Sequence, residues 1–414
     1  MSLRGRGIKC HFRSGQRPAD VDDVTRHTLI ERLESRRLLA AVYPTAVEQL
    51  EVELINRARA NPAAEAARYG IDLNEGLPAG TISTAAKPPL AINPYVTDAA
   101  RKHSQWMIDH DVFSHTGVSG SDPKGRMTSS GYAFVSPLSS GENIGYRGTT
   151  PSVPDPVTTA ARIHQDLFVD AGISGRGHRK NLLSTSFKEV GPGVVSGVFN
   201  QYNAVMVTTD FASSGAGNFL TGVAYTDALT KDNFYTPGEG IAGVTVSAKR
   251  AGDGATFTTT TWTSGGYSLK LAPGTYAVSA AGTALGGTVA YGNVVISTVN
   301  VKVDFKPAPT GSIKGTVFND VNHNGAPDAG EGVFTNLIVY VDKNRNGARD
   351  AGEKYVRTTS LGSYRFHTLP DGTYRIRHAV PAGFTVLAPP VGFWDVKIVG
   401  GRAVGGRNFA DASV

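Results

Sequence analysis

Between residues 217 and 411 the chain states one pattern twice. Residues 222–227 read GVAYTD and residues 315–320 read GTVFND. Gly238-Glu239-Gly240 recurs as Gly330-Glu331-Gly332, Gly265-Gly266-Tyr267-Ser268-Leu269 as Leu361-Gly362-Ser363-Tyr364-Arg365-Phe366, and Pro273-Gly274-Thr275-Tyr276 as Asp371-Gly372-Thr373-Tyr374. The order holds at an offset near 92–98 residues, which makes this half two copies of one domain. Alternating runs such as Val244–Ala248 and Tyr276–Ala280, broken by Gly and Pro turns, predict short strands in sandwich-like units. Gly (49) and Pro (22) show no collagen period, so their abundance fits turn-dense β structure. The copies are assigned to 215–306 and 307–414, with Lys306–Thr310 and its two prolines as the linker.

The second copy holds two acidic loops. Asp320, Asn322, Asn324, Gly325, Asp328 and Glu331 fit D-x-[DN]-x-[DN]-G-x5-E, and Asp342, Asn344, Asn346, Gly347, Asp350 and Glu353 fit it again 22 residues later. Ca²⁺ needs six to eight oxygens. The first, third and fifth positions converge side-chain oxygens, Gly allows the sharp turn, and the final Glu closes the shell. The surrounding segments look like strands, so calcium loops without flanking helices are expected. Each loop has three acids, partly offset by His323, Lys343, Arg345 and Arg349, which points to weak affinity of roughly 10⁻⁴–10⁻³ M. The first copy offers a poorer set, Asp227, Asp232, Asn233 and Glu239. Its Asp-to-Glu interval is one residue too long, and it lacks Gly at the sixth position.

The calcium-loop sandwich resembles the B-type repeats of bacterial surface adhesins, the SD-repeat B or Cna-B-like class. The likeness is good over 311–411 and weak over 217–305. It implies Ig-like β-sandwich domains that act as a stiff stalk, held together by calcium where other small extracellular units use disulfides.

Residues 46–214 read differently. Val47, Leu50, Leu54 and Ala58 recur at helical spacing; further helices are predicted from Pro94 to about His110 and over Val157–Val169; strand-like runs follow at Gly191–Val198 and Ala204–Asp210. The class is therefore α+β. Phe113-Ser114-His115-Thr116, Gly131-Tyr132, Gly141-Glu142-Asn143-Ile144 and Gly177-His178-Arg179-Lys180-Asn181-Leu182, in that order, resemble the CAP superfamily in its bacterial SCP-like branch. That resemblance implies a CAP-type α-β-α sandwich with a cleft of two His and two acidic residues, which in some members holds a divalent metal. His115, Glu142 and His178 match three of the four. The family's second Glu has no counterpart in Ile163–Asp170, where Asp170 or Asp166 is the available substitute. Two imidazoles and a carboxylate suit Zn²⁺ or another divalent metal, and the same trio suits general acid–base chemistry. His103 and Trp106 are read as core, His164 as a further residue able to line the cleft, and His110 as facing solvent.

Residues 1–45 read as a leader. Leu33-Glu34-Ser35-Arg36-Arg37-Leu38-Leu39 resembles the LEPR-x-LL leader motif of planctomycete-type surface proteins, with Ser35 in place of Pro, and this implies export. Nine Lys/Arg against five Asp/Glu in residues 1–41 account for +4 of the net charge of +6. The near-neutral body excludes electrostatic nucleic-acid binding. The single cysteine, Cys10, permits no internal disulfide and leaves the 46–214 domain without a thiol nucleophile. No apolar run reaches the ~18–20 residues of a membrane span. G-x-S-x-G, HExxH and P-loop motifs are absent.

The expectation is an extracellular or cell-surface protein. Its head binds a lipid, glycan, peptide or metal, with cell-envelope components as partners, and is carried on a calcium-stiffened stalk. The alternatives are a metal-dependent peptide or ester hydrolase using the same cleft, and a purely structural surface protein.

Overall fold

The computed structural model describes residues 43–414. The leader motif, Cys10 and all but the last three residues of the 1–45 segment lie outside the described residues.

In the N-terminal part, helix α1 (Ala46–Ala60) starts at a capping box in which Thr45 and Glu48 satisfy each other's backbone amides. Helices α2 (Pro62–Arg68), α3 (Pro94–Asp109), α4 (Pro123–Ser129), α5 (Pro156–Val169) and α6 (Gly177–Leu183) follow. Four of these six have Pro at the first turn behind an Asn or Asp cap. Strands β1 (Ala91–Ile92), β2 (Leu138–Thr149), β3 (Glu189–Phe199) and β4 (Tyr202–Ser214) form one sheet in the order β1-β3-β4-β2. Both faces are covered. Val205, Val207 and Phe211 of β4 pack with α1 and α5, while Ala204, Met206 and Ala212 pack on the α3 side. This period-2 division is what a strand buried on both faces requires. Gly191 and Gly193 let α3 lie directly on β3: an added Cβ would come within 2.1 Å of the helix backbone at Thr97 and Arg101. The layers are helix, sheet, helix, as expected.

The repeat is repeated in three dimensions. The first copy contains β5 (Asn218–Val223), β6 (Thr245–Arg250), β7 (Thr256–Thr260), β8 (Gly266–Leu271), β9 (Gly274–Gly282), β10 (Gly287–Ile296) and β11 (Val301–Lys302). The second contains β12 (Thr310–Asn319), β13 (Ile338–Val341), β14 (Tyr355–Arg357), β15 (Ser363–Pro370), β16 (Gly372–His378), β17 (Phe384–Ala388), β18 (Trp394–Ile398), β19 (Ala403–Val404) and β20 (Phe409–Ser413). Sheet β10-β9-β6-β7 in one matches β18-β16-β13-β14 in the other. The opposite sheets match too: β5 runs antiparallel to β8 and parallel to β11, and β12 antiparallel to β15 and parallel to β20. Each copy has its own apolar core.

The shared motifs are explained by side-chain bonds that recur. In the two Gly-Thr-Tyr turns, the Tyr276 hydroxyl donates to the Ala272 carbonyl at 2.8 Å and the Tyr374 hydroxyl to Pro370 at 2.7 Å. Tyr267 and Tyr364 donate across the sheet to Val303 and Arg407. Thr261 and Thr358 bridge equivalent loops, donating at 2.7 and 2.6 Å to Ile241 and Phe334.

The first sandwich is joined to the head. Leu50 and Leu54 of α1 share an apolar cluster with Val223, Tyr225 and Tyr235, Lys302 meets Glu53 at 2.9 Å, and Asn300 donates to the carbonyls of Pro89 and Lys188.

Candidate functional sites: a histidine cleft and acidic loops

Glu142 sits on β2 directly opposite Asp210 of β4. Its side chain is 1% exposed and accepts from the His115 ring, with Nδ1 2.7 Å from Oε1, while Oε2 receives the Arg126 guanidinium. Arg126 also donates to the carbonyls of His115 at 3.0 Å and Ser121 at 2.8 Å, so one cation holds both the acid and the loop that presents the imidazole.

Asp170, one of the two available substitutes for the family's second acid, is paired with His178. It ends α5 in a left-handed conformation, with its Oδ1 2.7 Å from Nδ1 of His178. Its Oδ2 accepts from the amides of His178 at 3.0 Å and Arg179 at 3.3 Å, satisfying donors at the start of α6. Asp166, the other candidate, instead forms an exposed pair with Arg147 at 2.6 Å.

The two His–carboxylate pairs are neighbours. Asn181 of α6 donates to the Glu142 carbonyl at 3.3 Å and to the Asn143 side chain at 2.9 Å, and Asn143 donates to the His178 carbonyl at 3.1 Å. The side chains of His115 and His178 are 54% and 23% exposed, so both rings reach solvent. In each, Nδ1 is held by a carboxylate. Such a partner fixes the ring's orientation and makes Nε2 the more basic donor.

Three residues of this site were not assigned to it from sequence. His103 is buried as expected of a core residue, but its Nε2 lies 2.9 Å from the Ser114 carbonyl and 3.9 Å from Glu142. Burial holds its pKa below the usual imidazole value; Glu142 opposes this, and Arg126 adds to it. The neutral ring donates through Nε2, leaving the buried Nδ1 without a partner. A cavity of about 170 Å³ lined by His103, Trp106 and Arg126 adjoins it. Asp210 is fully buried with both oxygens unpartnered. Burial first, and then the Glu142 charge, push its carboxyl well above the usual carboxylate range. An acid inside the apolar run of β4 was the available signal. His164, by contrast, is buried with Glu65 3.7 Å away and does not line the cleft.

The acidic loops lie between strands, as expected. Asp320 and Asp342 are buried, and Gly325 and Gly347 make the turn at φ +78° and +82°. In the first loop the Asp320 carboxylate accepts from the amides of Asn324 and Gly325. Glu331 accepts from those of Val321, Asn322 and Asp328. Asn322 and Asn324 donate to Asp328 at 2.8 and 2.6 Å. The second loop repeats this arrangement, but Arg377 meets Asp342 Oδ2 at 2.8 Å, and Asp342 Oδ1 is buried without a partner.

The poorer set in the first copy folds the same way. Asp227 accepts from the amides of Asp232 and Asn233, and Glu239 from those of Leu229, Thr230 and Thr236, bond for bond the scheme of Asp320 and Glu331. Asn233 stands where Gly325 does and adopts φ +60°, which asparagine tolerates better than most residues. Beside these four residues stands Lys306. Its ammonium lies 3.3 Å from Asp227 and donates to the Asn233 carboxamide, so a lysine supplies the positive charge. Phe305 pairs with Ala224 as Phe409 pairs with Val317, so the second copy has Ala410 at the position of Lys306.

No group of three or more His, Cys, Asp or Glu side chains among the described residues is arranged to hold a metal ion. Glu142 and Asp170 bond Nδ1 of their rings, and their oxygens are occupied. The head therefore presents two imidazole Nε2 atoms and, among the described residues, no third protein ligand grouped with them, which does not fit a closed structural zinc site.

Comparison with known proteins agrees with this anatomy. Residues 52–211 match the family model of the cysteine-rich secretory protein family, CAP, and residues 311–393 that of the SdrD B-like domain. The uncharacterized protein YkwD of Bacillus subtilis (strain 168) is 32% identical over 107 residues, 26% of this chain; the chain spans 35% of that relative's length. An extracellular protein of Bacillus anthracis containing an SCP domain is 26% identical, with a TM-score of 0.22, over 30% of this chain and 34% of its own. A minor pilin of Streptococcus agalactiae is 17% identical, with a TM-score of 0.32, over 48% of this chain and 96% of its own.

Proposed function

We propose, for a chain that carries a CAP domain over 52–211 and an SdrD B-like domain over 311–393, that it is an extracellular or cell-surface binding protein. Its head takes a ligand at the His115/His178 cleft, and the outer sandwich of its stalk binds calcium. One observation carries the head's role: two solvent-reaching imidazoles, each backed on Nδ1 by a buried carboxylate, adjoin through Glu142 and Asn143. A lone structural histidine needs no such support. The pair suits polar groups of a lipid, glycan or peptide, or a divalent ion that completes its shell with water and ligand oxygens.

The same pairs suit general-base chemistry at Nε2, so hydrolysis is the reading to test against binding. Titration of the full chain with Zn²⁺, alongside a panel of peptide and ester substrates, separates them. Saturable binding lost in His115→Ala and His178→Ala, without turnover, supports the binding reading. Turnover lost in the same variants replaces it with the enzyme, and neither binding nor turnover leaves a structural head.

For calcium, the support is the loop pattern of the sequence and Asp342 Oδ1, a buried oxygen without a partner. Asp320, Asn322, Asn324 and Glu331, with their second-loop counterparts Asp342, Asn344, Asn346 and Glu353, would hold the ions. Asp328 and Asp350 would complete the shells through water. Bound calcium cross-links each loop and stiffens the unit.

A further inference from the structure

Charge in the outer sandwich is sorted by place. Residues 311–414 hold 12 Lys/Arg and 9 Asp/Glu, and six of the acids, with three of the cations, lie in the two acidic loops. The rest of the domain thus has nine cations and three acids, Asp371, Asp395 and Asp411. All three acids are engaged: Asp395 by Arg375 at 2.7 Å, Asp411 by His378 at 2.8 Å, and Asp371 by the amides of Gly400 and Gly401.

Of the nine cations Arg375 and Arg377 are paired, with Asp395 and Asp342, which leaves seven among the described residues; Lys314, Arg357 and Arg365 are the three of these that share one groove. No ion pair among the described residues includes any of them. All three are exposed and line one open groove of about 580 Å³ across β12, β14 and β15, whose lining contains no acid. Lys314 and Arg365 lie directly opposite each other in the β12–β15 ladder. Like charges at such a position destabilise a strand pair, and nothing in the groove offsets them.

We propose that this groove binds a segment of an acidic polysaccharide or related anionic polyol. Three cations supply the counter-charge. Thr316 supplies a hydroxyl that both donates and accepts, and Ser363, bonded to Thr359, keeps hydroxyl capacity for a sugar hydroxyl. The groove is open along its length, which suits a chain more than a small enclosed molecule. An acidic peptide would want apolar anchors, and here Val356 and Tyr364 are the apolar side chains of the lining. Nucleic-acid single strands would want exposed rings to stack on, and Tyr364 is buried. This reading does not depend on the cleft of the head.

The test uses the full chain at low and high salt, with alginate as the carboxylate polymer, poly(glycerol phosphate) as the phosphate polymer, and dextran as the neutral control. Oligo(dA) and poly-glutamate report on the other polymer classes. The expected result is salt-sensitive binding of alginate or poly(glycerol phosphate), whichever anion the groove prefers, with none of dextran. Lys314→Gln with Arg365→Gln should weaken it about twenty-five-fold, at roughly fivefold per cation, while melting no lower than the wild type. Lys231→Gln with Lys249→Gln, which removes two exposed cations of the inner sandwich, should leave it unchanged. Equal loss in both double variants, absence of polyanion binding, or tighter binding of oligo(dA) or poly-glutamate would each overturn the proposal.

Discussion

The ring of His178 and the carboxylate of Asp170 are joined twice: Nδ1 lies 2.7 Å from Oδ1, and the His178 amide donates to Oδ2 at 3.0 Å. A short acid reaches the ring because Asp170 sits in the turn between α5 and α6, not on the helix. The carboxylate is thus a positioning group for Nε2 of His178. Asp170→Asn keeps an acceptor for the amide but removes the negative charge behind the ring. Isothermal titration should show Zn²⁺ affinity falling about 10–100-fold, with His178→Ala abolishing it. Wild-type affinity in Asp170→Asn would refute the positioning role.

Arg126 is the counter-charge of Glu142 and a clamp on the His115 loop. Both side chains are almost fully buried, so Arg126→Met leaves an uncompensated carboxylate beside Asp210. Breaking a buried pair this way costs about 3–5 kcal/mol. Urea denaturation should register a loss of that size. Pairing Arg126→Met with Glu142→Gln should recover part of it, because no buried charge is then stranded. A double variant no more stable than the single would show that packing, not charge, dominates there.

The helices of the head and the repeat of the stalk were legible because each leaves a periodic trace. Leu50, Leu54 and Ala58 mark one stripe, and Tyr276 and Tyr374 mark one turn used twice. Glu142 with His115 was legible only through a resemblance, because 27 residues separate them and no local rule joins them. His103 and Arg126 left no trace of their roles. Both lie on helices where burial alone accounts for the spacing, and only the packing of α3 on β3 and β4 and of α4 on β2 brings them to the acid. Lys306 was hidden for a like reason: it read as linker, and its partner Asp227 is 79 residues away.

Glu51 on α1 supplies a pH dependence unconnected with either site. It is fully buried with Oε1 unpartnered, and burial pushes its pKa from 4.5 to about 8. In the folded state it keeps its proton across a range in which the unfolded chain has lost it. Its contribution is therefore fully present below the unfolded value and declines as pH rises toward the folded one. Stability should fall between pH 4.5 and about 8, by up to about 1.4 kcal/mol per pH unit from this group. Glu51→Gln should flatten that decline and raise the melting temperature at pH 8. An unchanged pH profile in the variant would assign the decline to other groups.

The two sandwiches make opposite predictions about calcium. The outer one, with Ala410 where the inner has Lys306, should melt at a higher temperature when calcium is added, and Asp320→Ala with Asp342→Ala should remove that response. The inner one carries its own cation, so its transition should not move with calcium. Lys306→Ala leaves Asp227 and the Asn233 carboxamide facing each other without a positive charge, in a loop whose amide bonds already follow the scheme of the calcium loops. That variant should lower the inner transition in chelator by a small amount, as expected of a partly exposed pair, and calcium should restore part of the loss. Differential scanning calorimetry of the full chain, with and without calcium, reads both. An inner transition that shifts with calcium in the wild type would show that the lysine does not stand in for the ion.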